Sequence, residues 1–171
     1  MYNVAIDLET FSTREDAVVV AIAAVPFDET GPTGVPFYVT VDPRTQPERH
    51  IDAATVDWWL QQSESARTAL TVERYSADGA AWMFNRSFQS PEDTLYWGYG
   101  AAFDNVILRS FLRSRGYNNQ LTYRNDRCLR TLSAMFPDIP FVDAVNKHNA
   151  RSDAVAQAEH GAKLLRRLKG A

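Results

Sequence analysis

One cysteine, Cys128, stands in 171 residues, so no internal disulfide can form. A chain this long buries roughly 70% of the surface its unfolded form exposes, and needs no covalent staple. A lone thiol fits a reducing compartment. Long apolar runs are also missing. The longest, "AVVVAIAAVPF" (17–27), is too short to cross a bilayer as a helix. The start, "MYNVAIDLET", has no basic segment and carries Asp7 and Glu9, unlike a secretory signal. These absences predict a soluble cytoplasmic protein with no membrane partner. There is no internal repeat, no low-complexity tract and no glycine-rich phosphate loop. The last absence argues against a nucleotide phosphohydrolase with a triphosphate cradle.

Basic excess is lacking too. The net charge is −3, which does not advertise a nucleic-acid binder. The cations are nonetheless clustered: Arg109, Arg113 and Arg115; Arg124, Arg127 and Arg130; Lys163, Arg166, Arg167 and Lys169. The plain reading of each cluster is a solvated helix face. Committing acids to a metal site would leave a more basic rim. What is present is otherwise ordinary: 45% hydrophobic and 23% charged residues, the composition of one globular domain spanning 1–171.

"VAIDLE" (4–9) alternates, which predicts a half-buried strand with Val4, Ile6 and Leu8 inward. Residues 17–27 read as a second, buried strand and "VPFYVTV" (35–41) as a third. The short turn "DETGPTG" between them implies an antiparallel meander. Helical patterns follow. Asp52 caps "AATVDWWLQQ", with Ala53, Val56, Trp59 and Leu60 as its inner stripe; Ser63 caps the next helix, and another follows Asp78. "DTLYWGYG" (93–100) reads as a strand, "FDNVILRSFLRSRG" as an amphipathic helix stopped by Gly116, and "DRCLRTL" as a short strand or strand-to-helix turn. The last helix is expected from about Ser152 to Lys169. The sum is an α/β fold with a mixed sheet and helices on its faces.

Asp7 and Glu9 lie two apart on a strand, so both leave one face with Cα atoms about 6.6 Å apart. Two such carboxylates can converge on hard cations, although acidic pairs of this kind are common on solvent faces. Asp104 stands where a strand gives way to a helix, as a metal ligand or as an acid answering the helix dipole. Asp153 has the same two readings. His148 lies five residues before it. A loop there lets both face one cleft, where an imidazole can serve as general base.

Together, "IDLET", "WGYGAAFDNVIL" and "HNARSDAVAQA" resemble the three motifs of the DEDD 3′–5′ exonucleases, in the subgroup whose last motif is H-x4-D. "TVDWWLQQSESARTAL" and "RCLRTL" extend the likeness to the branch of phage exonuclease A-like proteins, the exodeoxyribonuclease VIII nuclease domain and RNase AS-type exoribonucleases. The resemblance covers nearly the whole chain. It implies a ribonuclease H-like five-stranded sheet, three antiparallel strands then parallel ones. It implies a bacterial or phage-infected cell. It also implies Asp7, Glu9, Asp104 and Asp153 as ligands of two Mg²⁺ or Mn²⁺ ions, with His148 as base. Two departures stand out: Tyr99 replaces the asparagine of the family's G-N-G, and Ser152 replaces an acid before the last aspartate. Asp143 is a nearby acid that does not fit the spacing.

The expected substrate is a single-stranded 3′ end, with DNA slightly favoured over RNA. Trp58 lies off the apolar stripe and is a candidate to stack a base. Phe103 is a candidate wedge for the terminal base, and Leu8 and Thr10 are candidates to touch the last nucleotide through their backbones. Each aromatic has packing as its alternative role. The competing functions are an exoribonuclease and a silent nucleic-acid-binding module; oligomeric state, including a homodimer, stays open.

Overall fold

Alternation decides how the first strand sits. In the computed structural model, which describes residues 2–118 and 121–170, strand β1 (Tyr2–Thr10) occupies the middle of the sheet. It pairs antiparallel with β2 (Val19–Asp28). On the far side of β2 lie β3 (Gly31–Pro32) and β4 (Phe37–Thr40), both antiparallel to it. Helices α1 (Ala53–Leu60), α2 (Glu64–Ala69) and α3 (Ala77–Ser87) follow. Strand β5 (Thr94–Gly98) returns parallel to β1, and after α4 (Asp104–Ser114) strand β6 (Asp126–Cys128) adds parallel to β5. The chain ends on α5 (Leu129–Ala134) and α6 (Ala150–Leu168).

The antiparallel meander and the later parallel strands are as expected. The count differs: among the described residues six strands fill five ranks, because the turn segment 28–34 itself pairs with the end of β2 as β3. The third predicted strand begins at Phe37 rather than at 35; Pro36 has no N–H for the ladder and Val35 is 87% exposed. The last helix begins two residues early, because Asn149 caps it and accepts from the Ser152 N–H at 3.2 Å. In α1 the expected stripe fails. Trp59 is buried, but Leu60 is 66% exposed, so this short helix docks through one residue. The Trp59 indole N–H donates to the Thr10 carbonyl at 2.9 Å and fixes α1 beside the end of β1.

The sheet divides two cores. Val4, Ile6, Leu8, Ile22 and Tyr96 face α3 and α4 with Phe84, Ile107, Leu108 and Phe111. Ala5, Ala21, Ala23, Val25 and Trp97 face α6 with Ala154, Ala158 and Ala162. Small residues on both sides let α6 ride close to β1 and β2. The approach is closest at Gly161, where a Cβ would stand 2.7 Å from the Phe27 ring and 3.2 Å from Leu129. This closeness brings the first turn of α6 down beside Asp7 and Glu9.

Gly161→Ala therefore tests the packing. In an open helix this change would stabilise by about 1 kcal/mol. Here overpacking costs of about 1–3 kcal/mol oppose it. Urea denaturation should show a net loss; a net gain would mean that α6 does not sit this close.

Candidate active site

Strand β1 carries Asp7 and Glu9 on the α6 side of the sheet, opposite Ala23 and Ala21 of β2. The register slips between Glu9 and Thr10, a bulge that bends the strand where the acids end. Asp104 is the first residue of α4. Its Oδ1 accepts from the Leu8 N–H at 3.3 Å, so the helix start is tied across the strand. Gly98, at the end of β5, makes room for it: a Cβ there would lie 3.1 Å from the Asp104 side chain and 2.6 Å from Asn105 Oδ1. Asp153, in the first turn of α6, brings one oxygen within 4.8 Å of ligand oxygens of Asp7 and Glu9.

Three of these carboxylates are pinned by one oxygen each. Asp7 Oδ1 accepts from Gln157 Nε2 at 2.6 Å, Asp104 Oδ1 from Leu8, and Asp153 Oδ2 from the Asn149 N–H at 3.2 Å. Glu9 is buried, and its carboxylate accepts no hydrogen bond among the described residues. The second oxygens of the pinned acids and both of Glu9 remain for a ligand. His148 takes a left-handed backbone (φ 61°), and its N–H, with that of Asn149, turns toward Asp153. All five predicted residues line one cleft of about 680 Å³.

Crowding leaves a mark on protonation. Burial, then the charges of Asp104, Glu9 and Asp153, hold the Asp7 carboxyl well above its usual range; Gln157 opposes this. Burial and the neighbouring Asp153 and Asp104 push Glu9 up to about 8. Burial raises Asp104 to about 7 against the Leu8 N–H and Arg130. Asp153 is raised as well, chiefly by burial. Four acids that resist ionising together suit hard divalent cations, which take oxygen ligands and cancel the repulsion.

Leu8, Glu9 and Phe103 also wall an adjoining recess of about 530 Å³, with Thr10, Thr13, Asp52, Thr55 and Trp58. Trp58 is 41% exposed, off the buried side of α1 as expected. Its ring meets the His148 imidazole edge-on at 4.8 Å. Leu8 and Thr10 both line this recess, beside the acids. The Leu8 N–H goes to Asp104 and the Thr10 carbonyl receives Trp59, so these two serve the recess as walls.

Sequence reasoning missed Gln157, Arg130, Phe141 and Lys147, all of which line the cleft. Gln157 had a signal: it stands one turn after Asp153 on the same helix face. The others had none, since Arg130 was one cation of a cluster. Among the described residues, some clustered cations form ion pairs, as in Arg109 with Asp126, Arg115 with Glu48 and Lys169 with Glu29. Asp143 does reach the cleft, but it is paired with Lys147 at 2.6 Å.

A family model described as the Rv2179c-like 3′–5′ exoribonuclease domain matches residues 2–168. The chain belongs to that family. No curated protein matches the sequence. Among solved structures, exonuclease I is similar with a TM-score of 0.71 at 19% identity over 97% of this chain. A zinc-bound E. coli exonuclease I complex with single-stranded DNA gives 0.71 at 19% over 99%, and a complex with a dA16 oligonucleotide gives 0.67 at 18% over 97%. The chain spans 41% of the length of each of these three. At such identity they show the shared fold, the ribonuclease H-like sheet of this exonuclease family.

The acids make stability depend on pH in a stated direction. Groups whose pKa is raised on folding favour the folded state below the unfolded value near 4, and this contribution is lost as pH rises toward 8. Metal-free protein should melt lower at pH 8 than at pH 5.5, and Asp7→Asn should flatten that slope while matching or exceeding wild-type stability. With excess Mg²⁺ the order of wild type and variant should reverse. Strong metal-free destabilisation by Asp7→Asn would make Asp7 a structural acid.

Proposed function

We propose that this domain, as one unit, removes nucleoside 5′-monophosphates from single-stranded 3′ ends by metal-dependent hydrolysis. The observation that carries the reading is the convergence of Asp7, Glu9, Asp104 and Asp153 on one cleft that also holds His148. The free oxygens and raised pKa values of these acids fit Mg²⁺ or Mn²⁺, with two ions per site. When bound, such ions supply positive charge at the attacking water and at the leaving 3′ oxygen. The residues do the rest. Gln157, the Leu8 N–H and the start of α6 fix the direction of three carboxylates. His148 takes the proton from the attacking water, with Trp58 seating its ring. Phe103, Leu8 and Thr10 wall the recess for the terminal nucleoside, and exposed Trp58 offers a face to its base.

RNA is the better-supported substrate. The family's description names exoribonuclease activity, whereas the DNA complexes belong to proteins under 20% identical. This moves the weight from the DNA preference expected from sequence. Single-stranded DNA is the second reading, favoured by the likeness of fold to those DNA-bound exonucleases.

End-labelled RNA and DNA of one sequence, with Mg²⁺ or Mn²⁺, separate these readings. Mononucleotides should leave the 3′ end, RNA faster, and chelator should stop the reaction. Internal fragments or full activity in chelator would contradict the mechanism. His148→Ala should slow turnover about 10²–10⁴-fold while leaving metal affinity nearly intact. Near-normal turnover would remove His148 from it.

A further inference from the structure

The cleft has two cations on its walls, Arg130 and Lys147. Lys147 is neutralised by Asp143 at 2.6 Å. Arg130, the second residue of α5, is exposed, and no carboxylate lies within ion-pair distance of it among the described residues. It is not loose, however. Its guanidinium lies 5.4 Å from the centre of the Tyr99 ring, and Tyr99 packs on Phe141 at 4.7 Å. Phe141 in turn stands edge-on to the buried His160 ring at 5.2 Å. A guanidinium without a salt bridge, whose charge is felt at Asp104, is thus held on an aromatic platform at the rim of an acidic cleft.

Position narrows its role. Arg130, Tyr99 and Phe141 line the cleft but not the recess beside Trp58. On the exonuclease reading above, on which this inference rests, the terminal nucleoside fills that recess and the scissile phosphate meets the carboxylates. The strand must leave along the remaining walls, and Arg130 is the unpaired cation there.

We infer that Arg130, positioned by Tyr99, binds the phosphodiester next upstream of the scissile one. A planar guanidinium offers a phosphate two parallel N–H donors, which a lysine cannot match. Tyr99 is a positioning residue: its ring fixes the guanidinium plane by a cation–π contact. The tyrosine that departs from the family's G-N-G thereby acquires a task, and an asparagine there would leave Arg130 without its platform.

Oligoadenylates of two, three and ten nucleotides, in RNA form, test this with Arg130→Gln, Arg130→Lys, Tyr99→Phe and Tyr99→Asn. A dinucleotide has only the scissile phosphate. Arg130→Gln should lower kcat/KM on the trinucleotide by about 10- to 100-fold more than on the dinucleotide, mainly through KM. Arg130→Lys should recover part of the loss; Tyr99→Phe should resemble wild type, and Tyr99→Asn should move toward Arg130→Gln. Binding of the labelled ten-mer in Ca²⁺ gives a readout apart from turnover. Its salt dependence should fall by about 0.7 in log–log slope for one lost phosphate contact on a single strand. Equal losses at every length, or none, would overturn the subsite and leave the exonuclease reading intact. An inert wild type whose binding slope still depends on Arg130 would sink the exonuclease reading and support the phosphate contact. An inert wild type with an unchanged slope would sink both.

Discussion

Asp7, Glu9, Asp104 and Asp153 line one cleft in which burial and mutual repulsion oppose holding four negative charges. Their carboxyls respond by holding their protons, Glu9 to about 8 and Asp104 to about 7. Nothing in a stability argument calls for such a cluster. A protein gains more from pairing acids with cations, as this one does on its surface with Arg44 and Asp42 or Arg14 and Asp16. The repulsion is retained where three elements converge, and on the function proposed above a divalent cation relieves it.

The rest of the fold holds those elements in place. Strand period two sends Ile6 and Leu8 into one core while Asp7 and Glu9 emerge on the other side. Gly98 and the Leu8 N–H admit and fasten the start of α4. Alanines and Gly161 let α6 press onto the sheet, so that Asp153 and Gln157 reach the end of β1. Protein donors claim one oxygen of each of three acids and orient the other. A site built this way keeps its geometry before any cation arrives, which limits the rearrangement that binding requires.

Much of this was legible in the sequence because it follows from short periods. The alternation of 4–9 put the first two acids on one face, a strand-to-helix boundary placed Asp104, the start of the last helix placed Asp153, and the resemblance joined them into one site. Long-range contacts were not legible. The third strand's length depended on Pro36, the start of the last helix on Asn149, and the docking of α1 on Trp59 alone. Net charge misled in part. A value of −3 hides four acids gathered in one cleft, without which the remainder is slightly basic. Arg130 was invisible for a further reason: only the fold separates it from neighbours such as Arg127, whose guanidinium goes to the Arg124 and Asp126 carbonyls.

The central claim is that these four carboxylates form a cation site. Anomalous diffraction from crystals grown with Mn²⁺ and a nucleoside 5′-monophosphate tests it most directly. Two manganese peaks in the cleft, ligated by oxygens of Asp7, Glu9, Asp104 and Asp153, are the predicted result. A cleft without manganese, its acids satisfied by protein donors while the ion binds elsewhere or not at all, would contradict the account.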